Sequence, residues 1–201
     1  MPPDLATATY DPLGDQTASA DAFSGSAALT VLPPALRFVL RGRQAAVEAA
    51  GRAFGSALPQ EVCRAATAGQ GRAALRLGPD EWLLLGQPDQ GPTFATSLES
   101  AMQGHPHALV EVSQRQIGIG VSGPDAAATL NAGCPLDLDP AAFPVGMCTR
   151  TVLGKIEIVL WRTAHETFRL EVWRSFADYA WRFLDEASRE FRRPAPPATG
   201  E

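Results

Sequence analysis

The sequence predicts an α+β domain made of two tandem β-α-β-β-α units with mainly antiparallel sheet. Three observations carry that expectation. Short apolar runs with strand-like alternation recur along the chain, bounded by Gly, Pro or Asp. Helical periodicity interrupts them at matching places. The segments 29–104 and 108–190 repeat the same order of elements. Two independent domains of about 70 residues each would be marginal, so one joint core is expected across 29–190.

In the first unit, Ala35 to Leu40 reads as a strand and Gln44 to Phe54 as a helix. Val47, Ala50 and Phe54 share one face of that helix, and Gly55 supplies its stop. Ala73 to Leu77 and Trp82 to Leu85 flank Gly78-Pro79-Asp80-Glu81, which is hairpin turn chemistry. A second helix carries Phe94, Leu98 and Met102 at spacings of four and closes at Gly104. The second unit opens with a strand region from Ala108 to Val121, bent around Ser113-Gln114-Arg115. Pro124 then starts a helix at the position where its missing N–H costs nothing. Lys155 to Trp161 and Phe168 to Trp173 alternate with period two and form a longer hairpin. The last helix is the most periodic, with Phe176, Tyr179, Ala180, Phe183, Leu184 and Ala187 as its apolar stripe.

Charge is unevenly placed. Twenty-two acidic against seventeen basic residues leave a net charge of −5, which gives no electrostatic support for nucleic-acid binding. Asp4, Asp11, Asp15 and Asp21 lie before the first basic residue, Arg37, so residues 1–28 read as a flexible acidic arm. The arm either stays unordered or lies across a partner, with Tyr10, Leu13 and Phe23 as its anchors. The Pro-rich tail 191–201 is expected to be disordered. No apolar run approaches the roughly 20 residues of a membrane span, and no secretory signal opens the chain, so the location expected is the cytoplasm.

The search for chemistry returns no catalytic, cofactor-binding or metal residue. Nucleophile elbow and phosphate loop are absent. Gly118-Ile119-Gly120 with Gly123 matches a dinucleotide fingerprint in name only, since these glycines lie inside a strand and are expected to permit close backbone approach. Cys63, Cys134 and Cys148 lack the paired spacing of a zinc site. His165 could act as a base but falls in a hairpin turn, and alternation puts Glu157 on the face opposite Ile156 and Ile158. Two aromatics stand apart. Trp181 is about 140° around its helix from Phe176, and Trp173 has the opposite parity to Phe168, Leu170 and Val172. Both are expected at a partner interface, with Tyr10 and Phe23 as further candidates.

Val110-Glu111-Val112-Ser113-Gln114-Arg115, then Gly120 to Ala126 and Leu130, resembles the opening of the folate-binding domain of the aminomethyltransferase family. Cys148 to Thr151, Gly154 to Glu157 and Phe168 to Val172 continue the likeness. The whole pattern over roughly 70–188 is more similar to the gamma subunits of heterotetrameric sarcosine oxidases. The segments that carry this are Gly78 to Leu83, Ser113 to Arg115, Asn131 to Leu138 and Trp173 to Ala177.

That resemblance implies a subunit with no cofactor of its own, bound to alpha, beta and delta subunits. Those partners would carry FAD, FMN, NAD, tetrahydrofolate and zinc. The implied complex oxidises sarcosine to glycine, passes the methyl carbon to tetrahydrofolate or releases it as formaldehyde, and makes hydrogen peroxide. Catalytic aminomethyltransferases carry paired acids after a Gly-Gly step. Leu153-Gly154-Lys155-Ile156-Glu157-Ile158 has one glycine and one acid, so no catalytic residue is carried over. The alternative is a stand-alone folate-binding or one-carbon-transfer protein using Glu157 or His165. A scaffold domain outside one-carbon metabolism is a third reading.

Overall fold

The structure, a computed structural model, describes residues 13–14 and 26–191. Among the described residues, ten strands form two five-stranded antiparallel sheets. The strands are β1 (Ala28–Val31), β2 (Leu36–Gly42), β3 (Ala65–Ala68), β4 (Arg72–Gly78), β5 (Glu81–Gly86), β6 (His107–Glu111), β7 (Gln116–Ser122), β8 (Cys148–Leu153), β9 (Ile156–Ala164) and β10 (Thr167–Trp173). One sheet runs β3-β4-β5-β2-β6 and the other β8-β9-β10-β7-β1. The α-helices among the described residues are α1 (Gln44–Phe54), α2 (Gly91–Met102), α3 (Ala126–Asn131) and α4 (Ala177–Ser188).

Alternation along the strands divides the molecule into four layers. Phe38, Leu40, Ala74 and Leu84 face α1 and α2, where Phe54, Phe94 and Leu98 complete one core. Ile119, Val121, Ile158, Leu160 and Leu170 face α3 and α4 and form a second core with Leu130, Ala180 and Leu184. The opposite faces of the two sheets meet through Leu75, Leu83 and Leu85 on one side and Cys148, Val159 and Trp161 on the other.

The expected repeat is present, but each unit holds one more strand after its first helix, β3 or β8. Both are short or polar edge strands whose sequences lack an apolar run. The boundary between units also differs from 29–104 and 108–190. The expected bent strand is two strands, β6 and β7, which leave Val112–Arg115 for different sheets. β6 pairs with β2, whereas β1, from the start of the domain, pairs with β7. The two sheets therefore have the same order, with β1 taking in one the place that β6 takes in the other. The crossing segment after β1 lays Leu32 over β7, where a Cβ at Gly118 or Gly120 would stand 3.1–3.2 Å from its side chain. Close approach is thus the role of these two glycines.

The arm 1–28 and the tail 191–201 fall mostly outside the described residues, as do Tyr10 and Phe23. Leu13 is fully buried in the core beside α3 and α4. Ser26 donates to the Asp125 carboxylate at the start of α3, and Ala28 already belongs to β1, so the domain begins before residue 29.

The apolar stripe of α4 corrects the expected one. Ala177, Ala180, Trp181, Leu184 and Ser188 face inward, while Phe176 and Tyr179 are about half exposed. Trp181 is only 4% exposed and belongs to the core, so its placement at a partner interface is overturned. Small residues at 177, 180 and 188 let the helix axis approach the sheet, and the indole fills the space between. Phe183 and Tyr179 lie to one side, where a Cβ at Gly133 would collide with the Phe183 ring and one at Gly154 with the Tyr179 hydroxyl.

Candidate functional site

Charged residues occupy the inter-sheet layer on either side of its apolar cluster. Arg37 on β2 donates from Nε to Glu171 Oε2 on β10 at 2.5 Å, and Arg169 donates to the other carboxylate oxygen at 2.7 Å. The Arg37 and Glu171 side chains are 3% and 1% exposed, so this contact between the two sheets is buried. Glu81, at the start of β5, makes a second bridge. It accepts from Arg41 on β2 at 2.5 Å and from Arg150 on β8 in the other sheet.

Beside that bridge the sheets enclose a cleft of about 420 Å³. Val39, Leu77, Leu83 and Val159 supply its apolar walls, and Arg41, Glu81, Arg115, Gln116, Arg150, Glu157 and Trp173 its polar lining. Register explains the grouping. Trp173 pairs with Gln116 across β10 and β7, and the Val172–Ile158 pair places Trp173 beside Glu157 on β9. Gln116, Trp173 and Glu157 therefore stand in one row on the inner face of the sheet. Trp173 is 40% exposed, with the Arg115 guanidinium 5.0 Å from its ring centre. Its predicted opposite parity is what the strand shows.

The hydrogen bond from Arg150 is the chief cause that holds the Glu81 carboxyl below the ordinary glutamate range; the charges of Arg150 and Arg41 add to it and burial opposes it. A carboxylate so held is a weak proton acceptor. Its depressed pKa also sets a sign. The stabilisation is full above the ordinary glutamate pKa and is lost as pH falls through the lower folded value. Urea midpoints followed from neutral to acid pH should show wild type losing its advantage over Glu81→Gln only in that acid window; a constant difference would mean that the bridge contributes no ionic stability.

The remaining candidates lie elsewhere. Glu157 is exposed on β9, as alternation predicts, and lines the cleft, but forms no ion pair among the described residues. His165 sits exposed in the β9–β10 turn, 3.9 Å from Glu166, away from the cleft lining. Burial, followed by nearby Cys63, pushes the Cys148 thiol up to about 12, so it is not a nucleophile at neutral pH. Among the described residues no group of three or more His, Cys, Asp or Glu is placed to hold a metal, and no helix is long and apolar enough to cross a membrane. Sequence reasoning passed over Glu81, Arg115, Gln116 and Arg150 as site residues, because only the sheet pairing brings them together.

Residues 41–190 match the family model described as sarcosine oxidase, gamma subunit family. The chain belongs to that family. Among curated proteins, sarcosine oxidase subunit gamma of Arthrobacter sp. is 35% identical over 142 residues, covering 71% of this chain and 69% of the relative. The subunit of the same name from Corynebacterium sp. strain P-1 is 34% identical over 139 residues, covering 69% and 68%. In the solved heterotetrameric sarcosine oxidase of Corynebacterium sp. U-96, one chain superposes with a TM-score of 0.84 at 28% identity, over 93% of this chain and 98% of that one. The glycine cleavage aminomethyltransferase T of Bartonella henselae shares the fold, with a TM-score of 0.63 at 15% identity over 88% of this chain and 50% of that one. This chain thus shares the fold of an aminomethyltransferase, as the resemblance implied.

Proposed function

We propose that this chain is the gamma subunit of a cytoplasmic heterotetrameric sarcosine oxidase, serving assembly while partner subunits perform catalysis. The observation that carries the reading is the superposition along nearly the whole length of one chain of such a complex. In the reaction, sarcosine loses two electrons at its methyl–nitrogen bond. Dioxygen takes them up as hydrogen peroxide, and the methyl carbon passes to tetrahydrofolate or, with water, leaves as formaldehyde beside glycine. The flavins, NAD, folate and zinc belong, in this reading, to the alpha, beta and delta partners.

A supporting role agrees with the chemistry of the cleft. Its buried carboxylate, Glu81, is neutralised by two arginines, and Glu157 is open to solvent. The docking surface is assigned to Trp173, Phe176 and Tyr179, which follow one another from the end of β10 into α4 and are 40%, 45% and 36% exposed. Aromatic residues placed together at a surface are typical anchors of protein interfaces. Tagged chain from its native host should co-purify with flavin-bearing partners, and a clean monomer would overturn the proposal. Phe176→Asp should weaken that association at least about ten-fold, while shifting the stability of the free chain by no more than about 0.5 kcal/mol.

A further inference from the structure

We infer that a second cavity between the sheets, beyond the apolar cluster from Glu81, is a binding site for a dianionic phosphate group. The inference concerns a ligand of this chain itself and does not depend on its assembly with partners.

Sheet register builds the cavity. Trp161 on β9, Arg169 on β10 and Gly120 on β7 pair in one row, and Thr67 on β3, Ala73 on β4 and Leu85 on β5 pair in a row of the other sheet. All six line a space of about 430 Å³. Gly120 and Ala73 bring almost no side chain to their rows, which leaves the space open. Pro33, Pro34 and Phe168 add apolar wall.

Charge decides what fits. Arg72 and Arg169 line the cavity, and among the described residues no acid does. Arg72 is half-buried and bonded to neutral groups: its Nε donates to Gln90 Oε1 and its Nη1 to Phe54 O, each at 3.0 Å, with the guanidinium over the Phe94 ring. Arg169 and Arg37 share one carboxylate, that of Glu171, so their clasp keeps a surplus positive charge. Arg37 is buried, whereas Arg169 keeps 20% of its side chain exposed and is the member that lines the cavity. Desolvated guanidinium groups without a counter-ion cost free energy that an anion between them relieves. Two surplus charges around one space match a dianion better than a carboxylate. The Thr67 and Thr167 hydroxyls and the Gln87 amide add neutral donors to the lining. A phosphate group has oxygens for both arginines and for these donors, where a carboxylate has two.

Calorimetric titration of the full chain at fixed ionic strength tests this, with inorganic phosphate, phenyl phosphate and acetate as probes. Phosphate should bind saturably, one per chain, and at least about ten-fold more tightly than acetate. Tighter binding of phenyl phosphate would identify a phosphate ester as the ligand, and equal binding would identify the free ion. Arg72→Gln should weaken phosphate by about ten-fold or more, while Arg72→Lys keeps it within about three-fold. Arg52→Gln, on the exposed side of α1, should leave it unchanged. Thr167→Val provides a second variant, because it removes a neutral donor without removing a charge and should weaken phosphate by about three-fold or more. The absence of saturable phosphate binding by folded chain, equal affinity for acetate, or an equal loss in Arg72→Gln and Arg52→Gln would each overturn the assignment. Should Arg72→Gln fail to fold, full phosphate affinity in Thr167→Val would overturn it as well.

Discussion

Glu171→Gln is expected to destabilise the folded chain by about 3–5 kcal/mol, the largest effect of any single charge change. Arg37 and Arg169 both point at this carboxylate, at 2.5 and 2.7 Å, with Arg37 and Glu171 buried and Arg169 mostly so. Removing its charge while keeping its shape leaves two guanidinium groups side by side with no buried anion, a cost greater than that of a lost surface pair. For a chain of this size the loss corresponds to a fall in Tm of roughly 10 °C. Urea denaturation followed by circular dichroism measures it directly. The triple variant Arg37→Met, Arg169→Met, Glu171→Leu should recover most of the loss, because it removes both guanidinium groups together with the carboxylate and strands no charge. A single-variant loss below about 1 kcal/mol would show that the clasp is solvated and that the sheets are held together by the apolar cluster alone.

That clasp also shows where sequence reading stops. Local pattern placed α1 at its observed bounds, because its apolar face and the left-handed Gly55 are both local signals. It likewise placed the β4–β5 hairpin through the turn chemistry of Gly78 to Asp80. β3, with the sequence Ala-Ala-Thr-Ala, and β8, with Cys-Thr-Arg-Thr-Val-Leu, carry little hydrophobic signal because each is an edge strand covered mainly on one face. The exchange of β1 and β6 between sheets is a long-range pairing with no local trace. The cleft inherits the same limit. The exposure of Trp173 followed from its parity, but Arg115, Gln116 and Glu157 meet only after β7, β10 and β9 are in register. Glu81 looked like a turn residue, and its role depends on Arg150 arriving from the other sheet.

Trp181→Ala is expected to cost about 3–5 kcal/mol of folding stability, in contrast to the small effect of Phe176→Asp. The expected stripe of Phe176, Tyr179, Ala180, Phe183, Leu184 and Ala187 is centred on its three large aromatics, and that choice turns Trp181 outward. Adding the small residues Ala177 and Ser188 to Ala180 and Leu184 as packing surface rotates the stripe by about one residue and brings the indole against the β7–β10–β9 face. The two assignments make opposite predictions for the same substitution. A core tryptophan reduced to alanine leaves a large cavity and lowers the urea midpoint sharply, whether or not partners are present. An interface tryptophan reduced to alanine leaves the free chain intact and weakens only its association. Measuring the free-chain urea midpoint and partner co-purification for Trp181→Ala and Phe176→Asp together separates them: the first variant should fail in stability and the second in association, and the reverse pattern would return Trp181 to the surface.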